Sequence, residues 1–588
     1  MPTEPLDIFA HYDKQRFTQF GSRDAANWYK VAVGSGKKQT ALYPSMGRSH
    51  INFFGQNRLI FEGEPKAIFA SLDFLYVIVG TTVIQVDKFW NEKKIGTVPL
   101  GSEVWFAYLP VGTITYCILT AETVMYAITE NGNTVSYDEI TDPNAPTRPQ
   151  YVAAFGNRFV VSQQGTPDYY LSQVNLGGSV LNAATAFTVN SAPLFNRASG
   201  VIKQFAVLHN QLYIFSAYTI DPWSNIPSFF TVAGVTTEFP WKLNASYNFD
   251  YGLVDPKSLD VAFGMMAWLG QNRKGQVSVF VSNGGQPSEI STDAVDVIIA
   301  DSAQAEPNEY FLSGNTNGFF YEYENTIFYR ISAGDYKNFG NLDNTEDANC
   351  LEFNFDTQTW SRAIELNGER NRAVKHAYFN DVQLVTVQDD PVVYEFSGHF
   401  YYNELRNESA ESQAADAFLR FPMRYTLVTD HIYEPDYSEF ITDYVEIDFV
   451  FGNQTFYKNN APFNNTEFLV AEDEVNGEPV YLTAEDEING EPVFFTAEGS
   501  NTPQFDDNHY NALFKPHIEL YWSDDGGVSF HTADLREFSP LGQYRWRMKW
   551  WELGASRNRV YKLVAVSSAP IVILGATQMR RRASGGAN

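Results

Sequence analysis

Hydrophobic residues in this chain fall in short, nearly continuous runs separated by turn residues, with no sustained helical stripe. Phe74-Leu-Tyr-Val-Ile-Val79 breaks at Gly80 and resumes as Val83-Ile-Gln-Val86. Val124-Met-Tyr-Ala-Ile-Thr129 breaks at Asn131-Gly132 and resumes as Thr134-Val-Ser-Tyr137. The phrase returns at Phe155–Val161, His209–Phe215, Phe319–Tyr323 with Ile327–Ile331, and Val382–Val387 with Val392–Phe396. Runs of this length, rich in β-branched and aromatic residues and bounded by Gly, Asn and Asp, are strands joined as hairpins. They recur at roughly 40–60 residues, the spacing of a four-stranded propeller blade. No stretch between 60 and 400 shows a helical period. The expected fold is all-β: a β-propeller-like body of repeated hairpins with a further β-rich insertion.

In chain order, residues 1–60 read as an irregular lead-in and 61–400 as the propeller body. Residues 401–515 read as an inserted β-domain, with room for one short helix between Asn403 and Ala417. This insertion holds a 13-residue tandem repeat, Ala471–Thr483 and Ala484–Thr496, each unit with an Asn-Gly turn between short β-prone pieces. Nine acidic residues crowd Glu472–Glu498 without the regular spacing of a calcium loop, so a solvated projecting arm is expected. Residues 516–588 read as hairpins that close the body, followed by a frayed basic tail at Arg580-Arg581-Arg582.

The last segment carries the most distinctive local pattern. Ile518, Leu520 and Trp522 alternate with Glu519 and Tyr521, a half-buried strand. Asp524-Asp525-Gly526-Gly527 then turns, and Val528 and Phe530 are expected to begin the return strand. The spacing Ser523-x-Asp525-x-Gly527-x-Ser529-Phe530 resembles the Asp-box, a structural hairpin in which Asp525 would bind turn amides and Phe530 would pack beneath them. Downstream, Arg545, Arg547 and Lys549 alternate with Trp546, Met548 and Trp550. They are candidates for an interface or phosphate contact together with Arg557 and Arg559, or else the exposed face of one strand.

Composition narrows the function classes. Aromatic residues make up 15% of the chain and charged residues only 19%, which favours packed strands over solvated helices. The net charge of −29 excludes a nucleic-acid binder that uses its whole surface. From Arg536 onward ten basic residues face two acidic ones, so this end is +8 while the rest carries −37 (−29 minus +8). Cys117 and Cys350 are expected as free thiols, in keeping with assembly in a reducing cytoplasm. The N-terminus shows no secretory pattern, and the apolar window 67–86 is broken by Asp73, Gly80 and Gln85, so no membrane insertion is expected.

Catalytic chemistry finds little support. Gly34-Ser35-Gly36-Lys37-Lys38 lacks the first glycine and the final hydroxyl of a phosphate loop. The nine histidines form no helical His-x-x-x-His pair, and no nucleophile elbow is present. A propeller glycosidase would need a carboxylate constellation, and Asp389-Asp390 and Asp506-Asp507 are only pairs in an acidic chain. No catalytic residue, cofactor or metal is expected, and the chain reads as a non-enzyme.

Three blocks together resemble one family. They are Asn27-Trp28-Tyr29 with Ala41–Gly47; Leu212–Phe215, Glu238-Phe-Pro-Trp241, Tyr251-Gly-Leu, Ala267-Trp-Leu-Gly-Gln-Asn-Arg-Lys-Gly275 and Ile290–Thr292; and the C-terminal hairpin with Gly542–Arg547, Trp550–Gly554 and Arg557–Tyr561. Their order and content resemble the packaged-DNA stabilisation proteins of short-tailed bacteriophages, also called tail hub or nozzle proteins. The resemblance implies a propeller-based virion protein of the phage tail, assembled in the host cytoplasm as a ring, six copies in this family. Such a ring sits below the portal and adaptor, extends the DNA channel, helps retain packaged DNA, conducts double-stranded DNA on ejection, and docks needle, fibre or spike proteins. A host-glycan-binding tail protein is the alternative, with an Asp-box glycosidase behind it.

Overall fold

The computed structural model describes residues 4–9, 11–14, 21–32, 40–50, 59–173, 185–187, 198–232, 235–244, 249–272, 274–303, 316–333, 349–406, 418–451, 470–472, 479–481, 483–485, 492–494, 516–531, 534–538 and 545–582. Within them lies a β-propeller of seven sheets. The inner strands are Pro65–Ala70, Trp105–Val111, Pro149–Phe155, Ile202–Leu208, Asp260–Ala262, Asn317–Tyr323 and Ala373–Phe379, for blades 1 to 7 in order. Each pairs antiparallel with the next strand outward; in blade 1, for example, Ile68 faces Val77 and Phe69 faces Tyr76. Several of these inner hairpins turn on two residues of positive φ, such as Gly156-Asn157 and Phe263-Gly264. That geometry matches the right-handed twist of the flanking strands.

The continuous apolar runs follow from burial on both faces of a blade. In blade 4, Phe205, Leu212 and Ile214 pack toward blade 3, while Ala206, Tyr213 and Phe215 pack toward blade 5. Separate hydrophobic clusters join blades 1–2, 2–3, 3–4, 4–5, 5–6, 6–7 and 7–1, so the ring is closed by packing as well as by hydrogen bonds. One α-helix, Asp293–Ala303, lies between blades 5 and 6, contrary to the expectation of none in this region. Thr292 supplies its N-cap oxygen to Val295 N, and Ala294, Val295 and Ile299 join the blade 5–6 cluster.

The outermost strand of blade 7 is Gly47–His50, which pairs antiparallel with Val393–Ser397. The propeller is therefore closed by a strand from the N-terminal segment, and residues 516–588 do not perform this role. They build a second unit, a sandwich of two sheets. One sheet runs Trp28–Ala32, Thr40–Pro44, Ile571–Arg582, Phe440–Phe451 and Arg545–Ser556, with Glu4–Leu6 on Ile571–Arg582. The other packs Ser22–Ala26, Phe418–Val428, Val560–Ser567, His517–Ser523 and Asp534–Glu537 against it. Trp28, Tyr425, Phe449, Leu520, Trp550, Leu563 and Ile573 fill the space between. Residues 1–60 are thus no lead-in: their strands complete both units. The Arg580–Arg582 segment is paired with Phe440–Thr442, so the basic tail is strand to residue 582.

The tandem repeat folds as two hairpins offset by one 13-residue unit, Val470–Glu472 with Pro479–Tyr481 and Thr483–Glu485 with Pro492–Phe494. Their Asn-Gly turns and acidic side chains lie outside the described residues. Of the stretch Asn403–Ala417 considered for a helix, residues 403–406 belong to the strand Tyr402–Arg406, and 407–417 lie outside the described residues. Cys117 and Cys350 are buried free thiols. No helix among the described residues is long and apolar enough to cross a membrane.

Candidate functional site

The hairpin after Trp522 is a closed hydrogen-bonded loop. Ser523, fully buried, donates its hydroxyl to Asp525 Oδ1 at 2.6 Å and accepts Gly527 N at 2.8 Å. Asp525 Oδ1 also accepts Val528 N at 3.1 Å and Ser529 N at 2.9 Å, while Oδ2 accepts the Ser529 hydroxyl at 2.6 Å. The Ser523 and Ser529 hydroxyls, with the turn amides, hold the Asp525 carboxyl well below the usual carboxylate range. The return strand begins at Asp534, later than the alternation at Val528 and Phe530 suggests, because the loop spends its amides on Asp525. Phe530 is half-buried, with the Lys562 ammonium 5.6 Å from its ring centroid.

The basic row on Arg545–Ser556 is engaged by the neighbouring strand. Arg545 binds Asp448 at 2.8 Å, and Lys549 and Arg547 lie 2.7 and 3.4 Å from Glu446. Met548 and Trp550 point the other way into the sandwich core. Arg557 is exposed. Arg559 is fully buried against Asp524 Oδ1 at 2.7 Å, and so has no surface to offer a phosphate. Further along the same sheet, Arg580 pairs with Glu4, Arg581 with Asp443 and Arg582 with Asp436. The pairs of Arg580 and Arg581 run between strands and knit the sheet, while Asp436 lies in the turn before Phe440–Phe451. Exposed charge on Arg545 and Arg547, 60% and 63% accessible, and on Arg557 is what remains for an interface among these candidates.

The propeller's central channel is a concave feature of about 1670 Å³, lined by the inner strands of all seven blades. Its two ends differ. Where the inner strands begin stand Lys66, Lys257 and Lys375, with Glu103. Lys375 Nζ donates to Pro65 O at 3.2 Å, Lys66 Nζ to Ser102 O at 3.0 Å, and Lys257 Nζ meets Glu103 Oε1 at 2.8 Å. Burial pushes the Lys375 ammonium down to about 8 and lowers Lys66 as well. Where the strands end stand Tyr108, Phe263, Tyr378, Glu322, Glu324 and Asp381, without a lysine or arginine among the lining groups. In the wall between, His376 stacks on Phe319 with centroids 5.0 Å apart, and burial lowers it to about 4, so it is neutral at pH 7.

A third cluster surrounds the closing strand. Arg48 Nη1 meets Glu365 Oε1 at 2.8 Å, and Asn403 Nδ2 donates to Glu365 Oε2 at 3.0 Å. Glu404 accepts His50 N at 2.6 Å, the Ser49 hydroxyl at 3.2 Å and Arg420 Nε at 3.1 Å, and contacts His50 Nδ1 at 2.5 Å. Burial alone would raise the Glu404 carboxyl, but His50 and Arg420 outweigh it and hold it at about 2. Sequence reasoning missed both the channel lysines and this cluster. The lysines sit on three blades with no local motif. The signal for the cluster was weak but present: an arginine and a histidine in the short segment Gly47–His50.

Among the described residues no group of three or more His, Cys, Asp or Glu is placed to hold a metal ion. Residues 66–317 match the family model of phage stabilisation proteins, described as the β-propeller of bacteriophage P22 Gp10. The match runs from the inner strand of blade 1 to the start of that of blade 6. A comparison with curated proteins found no match. Similar solved structures include a catalytically inactive virginiamycin B lyase from Staphylococcus aureus with quinupristin, at 8% identity, TM-score 0.31, covering 60% of this chain and 99% of that one. A Lactobacillus plantarum protein matches at 10% identity, TM-score 0.31, covering 60% and 96%. The extracellular domain of a putative hybrid two-component system from B. thetaiotaomicron matches at 10% identity, TM-score 0.32, covering 79% and 62%.

Proposed function

From a propeller that matches the phage stabilisation family, we propose that the chain is a structural protein of a short phage tail, a hub or nozzle. It assembles as a ring, six copies by the family resemblance, below the portal and adaptor. There it extends the DNA channel, helps retain packaged DNA and conducts it during ejection. The observation that carries this reading is the family match over residues 66–317. The structure is compatible with a scaffold: the basic row of Arg545–Ser556 is paired with carboxylates of the neighbouring strand, and the prominent hairpin is held by its own hydrogen bonds. A strongly acidic chain around a conduit repels DNA and lets it slide, so the ring's lumen is expected to be net negative. Needle, fibre or spike proteins would dock on the distal side, and the two acidic hairpins of 470–494 would project from the body.

The test is an infection in which this gene is blocked. Heads should fill with DNA and then lose it, giving DNase-sensitive genomes and particles without the distal tail piece. DNase-resistant, DNA-filled heads in normal number would overturn a retention role. An antibody to residues 471–498 should label the distal tail in intact virions, and label on the capsid would exclude the nozzle. A ring structure with a lumen lined mainly by Lys and Arg would overturn the sliding argument alone.

A further inference from the structure

We propose that the lysine end of the propeller channel is a binding site for a compact multivalent oxyanion of the phosphate class. Three ammonium groups from blades 1, 5 and 7 line one end of a single channel. Lys257 is satisfied by Glu103, whose backbone N–H is in turn bound by the Glu122 carboxylate at 3.2 Å. Lys66 and Lys375 differ: each rests on a backbone carbonyl of the next blade, Ser102 O and Pro65 O, with no carboxylate among the described residues in hydrogen-bond contact.

The carbonyl contacts hold the ammoniums in place while leaving further N–H groups on each to donate. Burial disfavours both charges, and the acidic groups that act on them, Glu64 on Lys375 and Glu122 on Lys66, do not offset it. Lys257 adds to the positive field at Lys375. Asp255, close to Lys257, is only 4% exposed and accepts Lys257 N–H at 2.9 Å, and burial raises its carboxyl. An oxyanion placed among the three lysines would be drawn in by the uncompensated charge and would restore the ammonium form. Lysines act as point charges on phosphate, so recognition here is by charge and size. The opposite end, with Glu322, Glu324 and Asp381, repels the same ligand and fixes the end of entry. The site concerns the bore of one chain's propeller and is independent of a role in the tail.

The full-length chain titrated with pyrophosphate in a calorimeter, at low ionic strength, should bind at one site per chain, and binding should weaken by about tenfold or more between roughly 50 and 200 mM salt. The double variant Lys66→Met, Lys375→Met should lose binding at least tenfold with its melting temperature unchanged or raised, since burying an uncompensated charge is unfavourable. The control Lys93→Met, Lys94→Met, on the exposed outer strand of blade 1, should bind as the native chain does. Equal binding by both double variants, or none by the native chain at millimolar pyrophosphate, would overturn the site. Binding of a glutamate-rich peptide in place of pyrophosphate would overturn the phosphate class. If the first double variant fails to fold, Lys375→Met alone decides, read against the same control.

Discussion

Glu404 shows what single residues contribute where the closing strand meets the propeller. Its carboxylate is held by His50, 354 residues away in sequence, as well as by Arg420. Because its folded pKa is about 2, below the ordinary 4.5, its stabilisation is fully present above pH 4.5 and is lost as pH falls toward 2. Glu404→Gln leaves Arg420 and His50 without their anion in a buried site, so a loss of ~3 kcal/mol is expected. Thermal unfolding between pH 2 and 5 checks it: the variant's acid limb should be flatter than the native one. His376 acts at a higher pH. Its folded pKa of about 4 lies below 6.5, so the unfolded chain binds the proton more readily and stability falls as pH drops from 6.5 to 4. His376→Phe, stacking on Phe319 in its place, should remove that slope. The turn at Asp525 could be read from sequence because its partners lie within four residues. Glu404 could not, since nothing local marks it. Asp525→Ala removes hydrogen bonds to two amides and two hydroxyls on an exposed loop, and ~1 kcal/mol is the expected cost in chemical denaturation.

Elements whose partners are adjacent in sequence are legible in the pattern of residues alone. The runs 124–129 and 134–137 are the strands Val124–Asn131 and Thr134–Glu139, and their turn is Gly132-Asn133, one residue later than the Asn131-Gly132 read from the sequence. The closing strand was hidden because Gly47-Arg-Ser-His50 has no apolar pattern: Arg48, Ser49 and His50 are all buried, but by ion pairs and hydrogen bonds. Gly47 is there because a Cβ would run into the carbonyl oxygens of Phe400 and Tyr402. Gly47→Ala should therefore loosen blade 7 specifically. Hydrogen exchange should rise in Val393–Ser397 and Gly47–His50 while blades 2–4 keep their protection; uniform loss would mean the strand is no independent closure. The helix Asp293–Ala303 was missed since eleven residues give barely three turns, although Ser291-Thr292-Asp293 carries a capping signal. Among the described residues the hairpins at 470–494 pair with no other strand. Deleting 470–498 should leave the melting temperature within the error of the measurement.

At the scale of the molecule, the propeller body was expected and the sandwich was not, because its sheets join segments from both ends of the chain. Asn27-Trp28-Tyr29 shows how the two units are coupled. Trp28 is fully buried in the sandwich and donates Nε1–H to Ile571 O at 2.9 Å, while Tyr29 packs in the cluster between blades 6 and 7. Asn27, between them at φ 57°, donates from Nδ2 to Ile364 O at 2.8 Å and Arg424 O at 2.7 Å, and accepts Ile364 N at 3.1 Å. It thus ties the segment after blade 6 to a sandwich strand, beside the contact of Ala26 with Arg362. Asn tolerates this left-handed backbone better than alanine does. Asn27→Ala therefore loses three hydrogen bonds, two of them fully buried, and gains strain, together ~3 kcal/mol, and most of that loss falls on the coupling between units. If the coupling makes the native chain melt as one, calorimetry of the variant should resolve two transitions, with the sandwich melting first. Two transitions already present in the native chain, unmoved by the substitution, would show that the units are energetically separate and that Asn27 serves only its own backbone.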